Sequence, residues 1–165
     1  MSEFSLFGSA HILTLISVAF LFIGLQTSYR KGSELHKIII TRALAICCLL
    51  SYPVNQLLAT LSQSSQNLES LIPFHLCDIA ALVCGLALLS SSQKLRELAY
   101  FWGLAATLQG LITPNITANF PSLLYIAFFW THGFIVITAL FLPLALGLRP
   151  RKSAIWRVFL ITNVY

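Results

Sequence analysis

The 165-residue chain is 58% hydrophobic and only 9% charged, with a mean hydropathy of +0.85. A soluble domain needs about a quarter of its residues charged to cover its exterior, whereas this chain has ten basic and five acidic residues in all. Composition therefore excludes a soluble globular protein and predicts one all-α domain, a polytopic helix bundle over residues 1–165, in a cell membrane.

A helix needs about 20 residues to cross a hydrocarbon layer of about 30 Å. Apolar runs of that order predict five complete spans at roughly 10–28, 38–60, 71–92, 98–114 and 122–148. A sixth run, 154–165, is too short to cross, so the chain is expected to stop in mid-helix. The N-terminus has no basic n-region and no small-residue cleavage site, so the first run is expected to stay in the membrane. The connections are short and polar, and none is long enough for a separate domain.

Orientation follows from the cations. Arg30, Lys31, Lys37 and Arg42 flank the first loop, Lys94 and Arg96 the third, and Arg149, Arg151, Lys152 and Arg157 the fifth. The N-terminal segment and the second and fourth loops have none, which predicts an outer N-terminus and cytoplasmic odd-numbered loops. The net charge of +5 is thereby an orientation device that also attracts anionic lipid. It makes no basic face of the kind that nucleic acid requires, so no nucleic-acid partner is expected.

At about 1.5 Å of rise per residue, His75 lies about 6 Å and Asp78 about 10 Å below the outer end of the third span. Asn55 and Gln56 on the second span and Gln109 on the fourth are at similar depth, His132 is near the middle of the fifth, and His11 opens the first. No comparable polar group is expected in the inner half. Polar groups on separate helices avoid lipid by facing one another across the bundle or a wet cavity, which predicts a pocket open to the outer side. The plainer reading is that Asn55, Gln56 and Gln109 are interhelical hydrogen-bonding groups.

Asp78 is the one acidic residue inside a long apolar run, in Pro73-Phe74-His75-Leu76-Cys77-Asp78. A carboxylate there costs several kcal/mol unless paired or wetted, which marks it as functional. Three residues apart on a helix, His75 and Asp78 share a face, whereas Cys77 points about 100° away from Asp78. A base for a Cys77 nucleophile must then come from another helix, and His132 is the candidate. The bland alternatives are a small apolar Cys77 and a neutral His132 bonded to a backbone carbonyl or to Gln109. Cys47, Cys48 and Cys84 read only as small apolar residues, and no disulfide is expected.

His75, Asp78 and His132, with Cys77, are of metal-ligating type, but no paired-histidine or CxxC motif accompanies them and no metal is expected. Gly103 and Gly110 lie in a membrane helix rather than a phosphate-binding loop, and no cofactor is expected. On the fourth span Trp102 and Gln109 are two turns apart on one face, with Gly103 and Thr107 making a small-residue stripe beside them. Thr113-Pro114-Asn115 ends that helix, and Phe120-Pro121 with Tyr125 anchors the next at the interface.

Pro73-Phe74-His75-Leu76-Cys77-Asp78, Gln109-Gly110-Leu111-Ile112-Thr113-Pro114 and Phe129-Trp130-Thr131-His132-Gly133, in this order on successive spans, resemble the YwaF-like integral membrane proteins of bacteria. The resemblance covers most of the chain and implies its fold and membrane location. Distant animal relatives, the transmembrane protein 164 group, are linked to acyl transfer between phospholipids through a cysteine, and YwaF-like chains continue through a further span with an Asn-Tyr motif.

Two functions are compatible with these residues. In the first, an acyltransferase or hydrolase acts on membrane lipid. Cys77 attacks an ester from the outer leaflet, His132 or His75 moves the proton, Asp78 orients a histidine, and Gln109 donates to the oxyanion, with Asn55 and Thr113 also contacting substrate. In the second, a carrier or sensor binds a small polar solute or a proton at His75, Asp78 and Gln109 without a nucleophile.

Overall fold

The computed structural model describes residues 3–61 and 75–164, and every regular element in them is helical. Pro73 and Phe74, the second loop and the outer start of the predicted third span lie outside those residues. In chain order the helices are α1 (Ser9–Lys31), α2 (Glu34–Leu49), α3 (Ser51–Leu61), α4 (Leu76–Leu89), α5 (Gln93–Phe101), a π-helical segment (Trp102–Thr107), α6 (Leu108–Ile112), α7 (Leu123–Leu144) and α8 (Lys152–Val164).

By length and composition α1 and α7 are able to cross a membrane, and α2 with the first part of α3 makes a third span if the 42° bend between them is counted as one helix. Among the described residues, helix length and composition therefore do not supply five complete crossings. Apolar runs continue where helices do not: Pro53, near the start of α3, has no N–H to give the preceding turn, and the second span bends there. The described part of the third span is an α4 of fourteen residues. The fourth is helical from Gln93 to Ile112, but its first turns carry Lys94, Arg96 and Glu97, and its middle is π-helical.

α7 is the axis of the bundle, with α1, α2, α3, α4, α5, the π segment and α6 packed around it. Tyr125, Ile135, Ile137, Phe141 and Leu142 are its almost fully enclosed side chains. α2 lies on α4 so closely that a Cβ at Gly85 would come within 2.6 Å of Leu49 Cγ and 3.0 Å of the Ala45 carbonyl. Small residues permit the backbone approach from which packing between membrane helices derives.

α1 is peripheral. It buries only His11 and Gln26, both polar and near opposite ends. Many of its apolar side chains, such as Phe20 at 71% exposure, face outward, while Val18, Phe22 and Leu25 are only partly buried against the core. Apolar contact with a neighbouring helix gains little over contact with lipid, so polar clamps set the register of α1. His11 Nε2 donates to the Leu111 carbonyl at 3.1 Å, and Gln26 Nε2 donates to that of Leu144 at 2.7 Å.

These clamps also order the ends. The N-terminal segment meets the α6–α7 connection, where the Phe4 N–H donates to the Thr117 carbonyl at 2.9 Å. At the other end Arg30 reaches the Leu144 carbonyl and Gln93 the Arg149 carbonyl. The cation-bearing segments therefore gather at one end of the bundle, and the N-terminal segment lies at the other.

Candidate functional site

Contacts between helices fix which residues share a level. Gly85 of α4 faces Ala45 and Leu49 of α2, and Cys48 of α2 meets Thr138 Oγ1 of α7 at 3.3 Å. About two turns from that layer toward the N-terminal end lie Asp78 on α4, Asn55 on α3, and Thr131 and His132 on α7. Asn55 Nδ2 donates to Thr131 Oγ1 at 2.9 Å, tying α3 to α7 across this upper layer.

Asp78 is 9% exposed, in the first turn of α4. Its backbone N–H donates to the His75 carbonyl at 2.9 Å, while its carboxylate has no hydrogen bond among the described residues. An ionised Asp78 benefits from the positive end of the α4 dipole. His75 is the N-cap, with extended backbone (φ −73°, ψ 134°) and an exposed ring. The expected sharing of one helical face therefore does not describe the pair, because His75 stands just outside the helix.

His132 is well buried and oriented from two sides. Nδ1 contacts the Phe128 carbonyl at 2.8 Å, and because a carbonyl only accepts, Nδ1 carries the hydrogen. The lone pair of the neutral ring is then on Nε2. The Phe128 ring stacks on the imidazole at 3.9 Å. At its Cδ2–Nε2 edge Gly110 leaves room for it: a Cβ there would lie 2.9 Å from Cδ2 and 3.1 Å from Nε2. The backbone-carbonyl partner is one of the two expected, and Gln109 is not the other.

Gln109 turns away. Its Nε2 donates to Thr113 Oγ1 at 2.5 Å, and both residues are exposed. The cause is the π-helical segment, where the Leu108 N–H bonds back to Gly103 rather than to the fourth preceding residue. Each extra residue in a turn rotates the remainder of the helix by about 100°. Trp102 therefore points inward, donating from Nε1 to Thr162 Oγ1 of α8 at 2.8 Å, and Gln109 does not share its face.

Cys77 is half-buried against the core formed by α2, α4 and α7 and makes no hydrogen bond to His132. Asn55 Oδ1 is buried with no partner among the described residues. His11 has both ring nitrogens engaged, Nδ1 accepting from the Phe7 N–H and Nε2 donating to Leu111, which makes it a structural histidine. Among the described residues no group of three metal-ligating side chains forms.

The model of the TMEM164 family matches residues 6–165. The chain belongs to the TMEM164 family. Among curated proteins and among solved structures, none matches it. The family match covers both the layer around His132 and a second polar constellation at the cationic end.

That second constellation lies at the cationic helix ends, in the segment the sequence reads as the third loop. Glu97 is completely buried. Oε1 accepts from Arg151 N–H at 2.9 Å, Arg151 Nε at 2.9 Å and Gln93 Nε2 at 3.1 Å. Oε2 accepts from Arg151 Nη2 at 2.9 Å and from Arg157. The Arg151 guanidinium, in bidentate contact, holds the carboxyl at about 2, below its ordinary 4.5, against the opposing effect of desolvation. Chain position puts Glu97 in a polar loop. The available signal is a lone acid in the third loop and, far along the chain, a segment containing three arginines, Arg149, Arg151 and Arg157.

Proposed function

We propose that this TMEM164-family chain is a multi-pass protein with five crossings, an outer N-terminus and a cytoplasmic cationic end, and that it carries out acyl transfer or hydrolysis on membrane lipid. The YwaF-like resemblance is the finer placement we propose within the family. The observation that carries the reading is the orientation of His132. Its Nδ1–H is committed to the Phe128 carbonyl, so Nε2 is the basic atom in the layer that also holds Asp78.

In this mechanism the Cys77 thiol passes its proton to His132 Nε2, and the sulfur attacks the ester carbonyl of a phospholipid from the outer leaflet. The C–O bond breaks, the leaving alkoxide takes the proton from His132, and the acyl group remains on Cys77 as a thioester. A lipid hydroxyl or water then gives its proton to His132, attacks the thioester and restores the thiol. Asp78 and His75, linked at the start of α4, hold the cysteine-bearing turn and its field. Gln109 and Thr113, exposed on the outer part of the neighbouring helix, contact the headgroup instead of the oxyanion.

A second reading is favoured by Asn55 Oδ1, buried without a partner among the described residues, on the same layer as Asp78, whose carboxylate has no hydrogen bond to a described residue. Unpaired polar atoms of this kind cost about 1–3 kcal/mol each and fit a site for a small polar solute or a proton. Phospholipid turnover by purified protein, Cys77→Ala and Asp78→Asn separates the two. The acyl-transfer reading expects turnover to vanish in Cys77→Ala; undiminished turnover there, with loss in Asp78→Asn, leaves the thiol without a role.

A further inference from the structure

At the cationic end, α5 and α8 run side by side and enclose a groove of about 300 Å³. Its rim carries Lys94 and Arg157, and its walls are Leu95 and Leu98 from α5 with Val158 and Ile161 from α8. On each helix the two apolar residues are three apart, so they line one side of the groove over a full turn. The charges therefore sit at the mouth and the hydrocarbon wall extends from them toward the middle of the bundle. A charged head followed by an apolar tail has the same order.

The electrostatics at the mouth are unbalanced. Glu97 supplies one negative charge to Arg151 and Arg157, which leaves one positive charge of the three groups uncompensated. Lys94 has no carboxylate partner among the described residues. Arg157 is fixed by its contact with Glu97 but keeps 30% of its side chain exposed, so it is held ready rather than used up. Trp156, 71% exposed and one residue before it, has the character of an interfacial anchor at the same level.

We propose that the α5–α8 groove binds one anionic phospholipid of the leaflet facing the cationic end, with the phosphate at Lys94 and Arg157 and an acyl chain against Leu95, Leu98, Val158 and Ile161. The volume is at the lower end of the range for ligand sites, which suits a chain segment with the rest of the lipid in the bilayer. The apolar wall chooses phospholipid over a free phosphate, and the surplus charge chooses an anionic head over a zwitterionic one. This site is at the opposite end of the bundle from Cys77 and His132 and stands whether or not they do chemistry.

Native mass spectrometry of the full chain in detergent, with phosphatidylglycerol and phosphatidylcholine in competition, tests it. The wild type is expected to retain one phosphatidylglycerol in preference, and Lys94→Glu to lower that retention about tenfold. Lys31→Glu makes the same charge change at the same end, away from the groove, and is expected to leave retention unchanged. Leu98→Trp fills the wall and is expected to remove the bound lipid; if that variant does not fold, the two lysine variants still decide. Equal losses in Lys31→Glu and Lys94→Glu, no preference between the lipids, or displacement by glycerol phosphate alone would each overturn the site.

Discussion

Glu97 and Asp78 are both buried carboxylates at helix ends, and they are treated in opposite ways. Glu97 receives five hydrogen bonds, four of them from two arginines, and its charge is balanced where it lies. Asp78 receives none on its carboxylate from any described residue, and the Asn55 oxygen on its level is unpaired as well. Saturated polar clusters fasten elements together, because every buried group has already exchanged water for protein partners. Unsaturated ones retain capacity for a ligand. The Glu97 cluster is therefore a fastening between α5, the α7–α8 connection and α8, beside which the lipid groove lies, and the layer around Asp78 and His132 is where chemistry is to be sought.

The contrast is broken most severely at His132. If Nε2 is the base, His132→Ala is expected to slow modification of Cys77 by a thiol-directed acyl probe by about 10²-fold or more, beyond the loss in a Phe128→Ala control that leaves a comparable cavity beside the ring. Next in size, Glu97→Ala leaves two guanidinium groups without their counter-charge. The arginines left behind are 50% and 30% exposed and partly screened by water, so a loss of about 1–3 kcal/mol of stability is expected, read as a fall in the unfolding midpoint.

Acid is a milder version of the same perturbation. The folded Glu97 carboxyl is held at about 2, below its ordinary 4.5, so its stabilisation is present above pH 4.5 and is lost as pH falls toward 2. Circular dichroism across that window is expected to show loosening that Glu97→Gln abolishes while lowering stability at neutral pH. Gly110→Ala presses a methyl against the His132 ring and is expected to lower acyl-probe modification about tenfold with a smaller effect on unfolding. The smallest effect is expected from Asn55→Ala: it removes one bond to Thr131, worth about 0.6 kcal/mol in a membrane bundle, and also removes an unpaired oxygen. A loss as large as that of Glu97→Ala would show that the Asp78 layer is also a fastening.

The helical class and the approximate positions of most helices are legible in the apolar runs, because composition alone dictates where backbone must satisfy itself. What a uniform 3.6-residue period hides is local. The π segment at Trp102–Thr107 rotates Gln109 out of the bundle, and Pro53 bends the second span without interrupting its hydrophobicity. At the site, the pairing of His132 with a backbone carbonyl is one of the alternatives its sequence context allows, since a buried neutral imidazole needs an acceptor for its N–H. The Thr131 partner of Asn55 is not legible, because it depends on how α3 is rotated against α7. Glu97 is hidden for a similar reason: its burial depends on Arg151, which is 54 residues away in sequence.

The most direct measurement of the central claim is the intact mass of the protein, quenched during incubation with phospholipid. Acyl transfer through the Asp78 and His132 layer predicts one added acyl group, mapped to Cys77, cleaved by hydroxylamine and absent from His132→Ala. Phospholipid turnover that continues in Cys77→Ala, with no acyl group on Cys77 in the wild type, would contradict it.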